Sequence, residues 1–258
     1  MTKSAQRNVF YGRYIEQMPL LVNQGLQPYT SKDVMQRRVE ALQHNDKDEI
    51  SFWLNSYWHN SYWHTSDGLA YHKGNLIVAP DSELLRNITP NPKLRNGALA
   101  LTLEQYIELF KQHEFIRRDK VILGKPLTKE QAKKHALWIK LAQEDRALLN
   151  EYVDLIFAKA KEVYGHDENM GFYLQNDQED PLMRAWGHRD LYDGSDADAR
   201  ISLDEIDTRL FGVRAQNLEA LLGNIAVELG ITNLDDLKRA IQLYQGAKEG
   251  SIDLKLLQ

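Results

Sequence analysis

The sequence predicts a mainly α-helical protein of the α+β class, with a small β-hairpin or three-stranded sheet and a C-terminal extension of short helices. Three observations predict this. Capping motifs begin several segments with helical spacing, one long apolar stripe has helical period, and alternating strand-like residues are confined to about residues 69–101. The 258 residues, 43% of them hydrophobic, are enough for one large domain and a small appendage.

The longest predicted helix runs from Asp145 to Tyr164. Its apolar residues form one broad stripe, and Gly165 suits the left-handed position that ends many helices. A stripe of this kind is typical of a helix packed on a core. We therefore expect Tyr152, Ile156 and Phe157 to be nearly fully buried.

Other helices are predicted from caps and spacing. Thr102, Thr128 and Ser202 each begin a capping box, in which the first side chain and the one three residues later satisfy free backbone amides. The predicted helices are 4–22, 31–43, 46–58, a segment after Thr102, a segment from Thr128 to Leu141, Leu203–Leu210, Leu218–Leu229 and Leu234–Gln245.

Strand-like patterns predict a hairpin over Leu69–Ala79, with its turn at His72–Asn75 and a third strand at Ala98–Leu101. The segment 81–96, with its prolines, is predicted to be a surface loop. We expect a main helix-rich domain over 1–190, containing the small β element at about 69–101. An acidic loop and a helical subdomain or extension are expected over 191–258.

The composition excludes several classes of function. No cysteine is present, which excludes disulfides and thiolate metal sites. The net charge of −5 makes nucleic-acid binding unexpected, because phosphate binding favours basic chains. No apolar run approaches the length of about 18 residues that a membrane helix needs, and no signal peptide is evident, so we expect a soluble cytoplasmic protein. A protein partner or homo-oligomer is compatible with this composition.

The segment 55–67 holds the densest chemistry, because it repeats Asn-Ser-Tyr-Trp-His twice with a period of five. Aromatic faces, imidazoles and a carboxylate can line a ligand pocket, but they can equally pack a core. A period of five aligns the two histidines on neither a helix nor a strand. We expect Trp53 and Trp58 to be buried and Trp63 to lie nearer the surface with His64. The candidate ligand-binding residues are Trp58, His59, Trp63, His64, Asp67 and His72.

The acidic segment 190–205 resembles a calcium-binding loop, with oxygen donors at alternating positions before a predicted helix. Two positions depart from the EF-hand pattern, since Gly194 stands where a ligand belongs and Ala199 where the turn glycine belongs. The alternative is that Ser202 and Glu205 only cap a helix. The candidate ligands for Ca²⁺ or another divalent cation are Asp193, Asp196, Asp198 and Glu205.

Between Gln27 and Leu210 the order of segments resembles that of archaeal proteins, many from lineages with reduced genomes, which have no established activity. The matching phrases are 26–34 (LQPYTSKDV), 65–71 (TSDGLAY), 91–99 (NPKLRNGAL), 148–152 (LLNEY) and 169–174 (NMGFYL). This resemblance implies a discrete type of protein and supplies no catalytic residues.

Two functions are compatible with these patterns. The first is a binding or assembly module without intrinsic catalysis. The alternative is a metal-dependent hydrolase that uses His59, His64, Asp67 or His72 together with acidic residues of the segment 190–198. Nucleotide-binding loops and nucleophile elbows are not found in the sequence.

Overall fold

A computed structural model describes residues 8–54, 62–176, 179–206 and 208–214. Within these ranges the fold is organised around a mixed β-sheet of eleven strands. The prediction of a mainly α-helical protein with only a hairpin or a three-stranded sheet is therefore wrong.

The strands are β1 (Asn8–Tyr11), β2 (Leu26–Pro28), β3 (Tyr62–His72), β4 (Asn75–Ala79), β5 (Leu94–Arg95), β6 (Ala98–Ala100), β7 (Phe115–Arg117), β8 (Phe172–Leu174), β9 (Leu182–His188), β10 (Ala197–Ala199) and β11 (Thr208–Arg214). The helices are α1 (Tyr14–Asn23), α2 (Ser31–Gln43), α3 (Lys47–Leu54), α4 (Glu83–Arg86), α5 (Leu103–Gln112), α6 (Lys129–Lys134), α7 (Ala136–Leu141) and α8 (Arg146–Tyr164).

The long strand β3 lies at the centre of the sheet, whose main order is β1-β11-β3-β9-β10-β8. Strand β11 runs parallel to the start of β3, and β9 runs antiparallel to most of its length. The second half of β3 forms the predicted hairpin with β4, which pairs in turn with the short strand β7. Strand β6 pairs with β9, so the expected third strand exists but joins the sheet elsewhere.

Two groups of apolar side chains cover the two faces of this sheet. Because side chains alternate along a strand, Leu69 and Tyr71 of β3 enter one core group while Ala70 enters the other. Helices α2, α7 and α8 pack on the first group, and helices α1, α4 and α5 contribute to the second. The central strands are therefore buried on both sides.

This double burial explains why sequence patterns missed most of the sheet. Every residue of β9, Leu182–His188, is buried, so its sequence shows no alternation of polar and apolar residues. The helix predicted over Leu203–Leu210 is likewise wrong. Residues 201–206 form turns, and β11 begins at Thr208 because its backbone pairs with the distant strands β1 and β3.

The predicted long helix is confirmed as α8. The Asp145 side chain accepts a hydrogen bond from the Leu148 amide at 3.1 Å, and Gly165 adopts the left-handed conformation with φ of 74°. The expected burial of Tyr152, Ile156 and Phe157 is also confirmed.

The other helix predictions vary in accuracy. Helix α2 has the predicted bounds, and the capping boxes at Thr102 and Thr128 begin α5 and α6. Over its described residues 8–22 the predicted helix 4–22 is replaced by β1 and α1, and the predicted loop 81–96 contains α4 and β5. Helix α3 confirms the described part of the predicted helix 46–58 as Lys47–Leu54. The rest of that helix, and the helices predicted at Leu218–Leu229 and Leu234–Gln245, lie outside the described residues.

By its contacts the chain divides into the units Met1–Val213 and Arg214–Gln258. Strands β10 and β11, which follow residue 190, belong to the same sheet as β3. Among the described residues, no helix combines the length and apolarity needed to cross a membrane.

Candidate functional site

The candidate residue Asp67 lies in an irregular stretch of β3. Between the pairs His64–Gly187 and Gly68–Ala185 the register shifts, so that two extra residues are accommodated on β3. The two carboxylate oxygens of Asp67 accept hydrogen bonds from the backbone amides of Ser31, at 2.6 Å, and Asp81, at 2.9 Å. Asp67 thereby ties the start of α2 and the end of β4 to the central strand.

Asp67 is buried without contact to solvent, and burial raises the pKa of its carboxyl to about 6 against the lowering effect of its hydrogen bonds. A carboxylate that already accepts backbone amides on both oxygens is typical of a structural role. Because Asp67 is 0% exposed, a ligand in solvent does not reach it.

Two buried histidines lie near this stretch. The Nε2 atom of His188 lies 2.8 Å from the Ser31 hydroxyl, and neither ring nitrogen of His64 has a hydrogen-bond partner among the described residues. Burial lowers the pKa of His64 to about 4 and that of His188 to about 3. Both rings are therefore neutral at physiological pH, and the serine–histidine pair has no access to a substrate from solvent.

The buried arginine Arg38 completes this region. Its guanidinium donates to the Tyr152 hydroxyl at 3.0 Å and to the Arg189 carbonyl at 2.7 Å. We call Ser31, Arg38, His64, Asp67 and His188 the inner polar cluster. All five side chains are closed off by the surrounding core.

The remaining candidates of the aromatic–histidine segment do not converge on one site. His72 lies at the far end of β3 and contacts Tyr106 with ring centroids 5.3 Å apart. Strand geometry separates His64 from His72 by roughly 20 Å, whereas two ligands of one metal ion lie within about 4 Å of each other. Trp58 and His59 lie outside the described residues. The geometry therefore gives no support to a metal-dependent hydrolase built on His64, Asp67 and His72.

The expectation that Trp63 lies near the surface is wrong. Trp63 is 0% exposed and Trp53 is 2% exposed, so the second expectation, burial of Trp53, is confirmed. The Trp63 ring lies 5.0 Å from that of Trp53 and 4.8 Å from that of Phe211, with Phe52 against its edge. These contacts explain the burial of Trp63. Strand β11 pairs with the start of β3 and brings Phe211 onto the Trp63 ring, a contact between residues far apart in the sequence.

The acidic candidates are divided among separate partners. Asp198 is 1% exposed and binds two arginines, whereas Asp196 accepts the Gly171 amide at 2.6 Å. Burial raises the pKa of Asp196 to about 7. Asp193 pairs with Arg189, and Glu205 is exposed just after the turn at Leu203 and Asp204. No group of three or more histidine, aspartate or glutamate side chains suited to a metal ion is found in the part of the chain that the structure describes.

Around Asp198 the structure forms a polar surface that sequence reasoning missed. The Arg200 guanidinium donates to Asp198 at 2.7 and 3.1 Å, and Arg189 lies 3.3 Å from the same carboxylate. Arg189 also lies over the Tyr62 ring at 4.8 Å, and Arg200 lies over the Tyr173 ring at 4.6 Å. One buried carboxylate thus fixes two arginines, each on its own tyrosine.

The sheet brings these residues together from distant parts of the sequence. Tyr62 begins β3, Tyr173 lies in β8, and Asp198 of β10 is the register partner of Tyr173. Arg189 and Arg200 directly follow β9 and β10. We call Tyr62, Tyr173, Arg189, Asp193, Asp198 and Arg200 the arginine–tyrosine face. The side chains of Arg200 and Asp193 are each 42% exposed, so this face is open to solvent.

A separate feature is an open groove of about 360 Å³ between α4, the segment 88–93, β6 and the start of α5. Its charged lining residues are Glu83 and Lys93, and the rest are polar or apolar. It lacks a convergent set of chemical groups, so the arginine–tyrosine face is the stronger candidate.

Comparison with known proteins connects this architecture to a described fold. No family model and no curated protein matches the chain. A solved structure described as the accommodation of massive sequence variation in Nanoarchaeota by the C-type lectin fold matches 83% of this chain and 99% of its own. The identity is 18% and the TM-score 0.58, and the archaeal source is compatible with the resemblance noted in the sequence. The likeness shows that this chain shares the C-type lectin fold with that structure.

Proposed function

We propose that this protein is a binding module without intrinsic catalysis and that it binds a protein partner through the arginine–tyrosine face. The observation that carries the proposal is the pair of arginines held on tyrosine rings by the single buried carboxylate of Asp198. The C-type lectin fold of the structural neighbour supports a binding role for the chain.

The composition of the face favours a protein partner. Tyrosine and arginine are enriched at the energetically important positions of protein interfaces. Asp198 and Asp193 offset the charges of Arg189 and Arg200, so the face lacks the excess of positive charge that phosphate binding requires. A polar surface with fixed aromatic and guanidinium groups therefore fits another polar protein surface.

Preorganisation supports the same proposal. A long arginine side chain loses rotamer freedom when it is held in a complex, at a cost of about 0.5–1.5 kcal/mol for each immobilised side chain. Here Arg189 and Arg200 are already oriented by Asp198 and by their tyrosines. Part of that cost has been met on folding, which leaves more of the contact energy for binding.

The described property of the structural neighbour, accommodation of massive sequence variation, extends the proposal. In this chain the segment between β9 and β11 combines exposed side chains such as Tyr192 with buried anchors such as Ala197 and Ala199. We infer that its exposed positions tolerate substitution while the buried anchors do not, so that the face can change its partner without loss of the fold.

A displayed peptide library selected against the immobilised protein tests the proposed face. The double variant Arg189→Ala with Arg200→Ala serves as the comparison target, and Lys159→Ala with Lys161→Ala on helix α8 serves as the matched control. We expect selected peptides to bind the face variant at least about tenfold more weakly, equivalent to about 1.4 kcal/mol, and to bind the control variant like the wild type. Peptides that bind all three proteins equally would contradict the proposed face.

A further inference from the structure

Helix α5 carries two apolar stripes, although a helix at a protein surface normally carries one. Tyr106 and Leu109 are buried against the sheet. On another side Leu103, Ile107 and Phe110 are 55%, 45% and 41% exposed. Their spacing of four and three residues places them in one row. Burial against the sheet therefore does not account for this second stripe.

The exposed stripe continues onto the neighbouring strand β7. The Phe115 ring stacks on that of Phe110, with centroids 4.8 Å apart and planes at 17°, and Phe115 is 44% exposed. We call Leu103, Ile107, Phe110 and Phe115 the edge patch. Contiguous exposed apolar side chains of this kind commonly mark protein interaction surfaces.

Strand β7 also has an unpaired edge. It pairs with β4 on one side, and no other strand in the described ranges pairs with it. The Arg118 amide donates to the Gly74 carbonyl at 2.9 Å, so the backbone of Arg118 faces β4. Because backbone groups alternate in direction along an antiparallel strand, Ile116 faces β4 as well, while Phe115 and Arg117 direct their amides and carbonyls outward.

The sequence of this edge is complementary to itself. Residues 114–118 read Glu-Phe-Ile-Arg-Arg. In an antiparallel pair of two such strands centred on Ile116, Phe115 of each copy faces Arg117 of the other. The two facing residues both have outward backbone groups and can exchange hydrogen bonds in both directions. Glu114 of each copy then faces Arg118 of the other. Within one chain Glu114 pairs with Lys140 at 2.7 Å and Arg118 donates to the Gln175 carbonyl at 2.6 Å, but the Glu114 side chain remains 82% exposed.

We propose that two copies of this chain associate through β7, forming one continuous sheet across a two-fold axis at Ile116. Antiparallel edge pairing keeps corresponding sheet faces on the same side, so both α5 helices lie on one face beside the axis. The two edge patches then cover each other, and the facing pairs Glu114–Arg118 form the charged rim. This interface uses elements other than those of the arginine–tyrosine face and leaves that face open.

Sedimentation velocity of the full chain at about 1–100 μM, the concentration range of micromolar dimers, tests the interface. We expect the wild type to approach twice the chain mass of 29.9 kDa as concentration rises.

Phe115→Pro removes an outward amide without removing a hydrogen bond to β4, which is compatible with an edge strand. This variant and Ile107→Lys should weaken dimerisation at least about tenfold. Val163→Lys, at an exposed apolar position of α8, should leave it unchanged.

A charge exchange between the exposed Glu114 and the partly buried Arg118 tests the register. Glu114→Arg alone places two arginines opposite each other, and Arg118→Glu alone places two glutamates opposite each other. Each single variant should weaken dimerisation, and the double variant should restore it. A wild type that stays monomeric at about 100 μM would overturn the proposal. A dimer that none of the β7 or α5 substitutions changes would overturn it too.

Discussion

The inner polar cluster and the arginine–tyrosine face contain similar kinds of residues but differ in their access to solvent. In the inner cluster, Asp67 accepts backbone amides and His64 is enclosed by core side chains. On the face, Asp198 is equally buried, but it holds arginines whose guanidinium groups reach solvent. Two equally buried carboxylates therefore have different roles. Asp67 holds backbone segments together by accepting their amides, whereas Asp198 fixes the orientation of two arginines at the surface.

The largest expected difference concerns the two kinds of aspartate. Asp67→Ala should destabilise the protein by about 3–6 kcal/mol, because it leaves two buried amides without charged acceptors worth about 1.5–3 kcal/mol each. Asp193→Ala on the face should change stability by less than about 1 kcal/mol, as expected for an exposed ion pair. Urea unfolding of both variants measures this. Equal losses would remove the distinction between the two regions.

An apolar substitution provides a reference for the size of core effects. Phe157→Ala on α8 should cost about 3–5 kcal/mol, the usual range for truncating a buried aromatic side chain. Thermal and urea unfolding measure the loss. Wild-type stability of this variant would mean that α8 does not pack on the core as described.

The inner cluster should also make stability depend on pH. Because the pKa of His64 is about 4 in the folded protein and about 6.5 in an unfolded chain, the unfolded state binds more protons between these values. The contribution of neutral, buried His64 to the free energy of unfolding is therefore fully present above pH 6.5 and is lost as the pH falls towards 4. His64→Phe should reduce the slope of unfolding free energy in this window by up to about 1.4 kcal/mol per pH unit.

Asp67 provides the control of opposite sign for that experiment. The pKa of its carboxyl is raised to about 6 in the folded protein, so the folded state binds more protons between its ordinary value and pH 6. Asp67→Asn should therefore make the rise of stability with pH steeper in that window. Unfolding free energies from urea titrations at several pH values test both signs. A slope that neither substitution changes would contradict the assigned burial.

A small stability effect is also expected for Arg200 on the face. Arg200→Ala removes one of the two arginine partners of Asp198, and Arg189 remains beside this carboxylate. Its cost should stay below about 2 kcal/mol, because the Arg200 side chain is partly exposed and solvent screens its ion pair. Calorimetry of this variant and of Asp67→Ala shows which of the two regions contributes more to the stability of the fold. A larger loss for Arg200→Ala would assign the face to the structural framework.

Local patterns in the sequence predicted much of the helical structure. Helices α2, α5 and α8 have their caps and apolar stripes within one contiguous segment, so the sequence contains the information that defines them. The turn at Lys73 and Gly74 was predicted for the same reason, since both residues adopt the positive φ that such a hairpin turn needs.

The missed strands depend on distant partners. Strand β11 pairs with the distant strand β1, for example through Asn8 and Gly212, and β9 is buried on both faces, so neither has a pattern visible in its own sequence. The same reason hid the arginine–tyrosine face, because Tyr62 and Arg200 meet only after the sheet has formed. The sequence does contain one weak indication of this face, because Arg189 and Arg200 lie on either side of the acidic residues 190–198. Nothing in the sequence indicates that Tyr62 and Tyr173 contact these arginines.

The irregular stretch in β3 has a consequence for how this gene can change. Its two extra residues are an even number, so Trp63 before it and Leu69 after it still point into the same apolar core. Loss of one codon from this stretch would exchange the two faces of half the strand. Loss of two would preserve the faces but remove the Asp67 attachment. The length of β3 is therefore constrained by the parity of its residue count as well as by its chemistry.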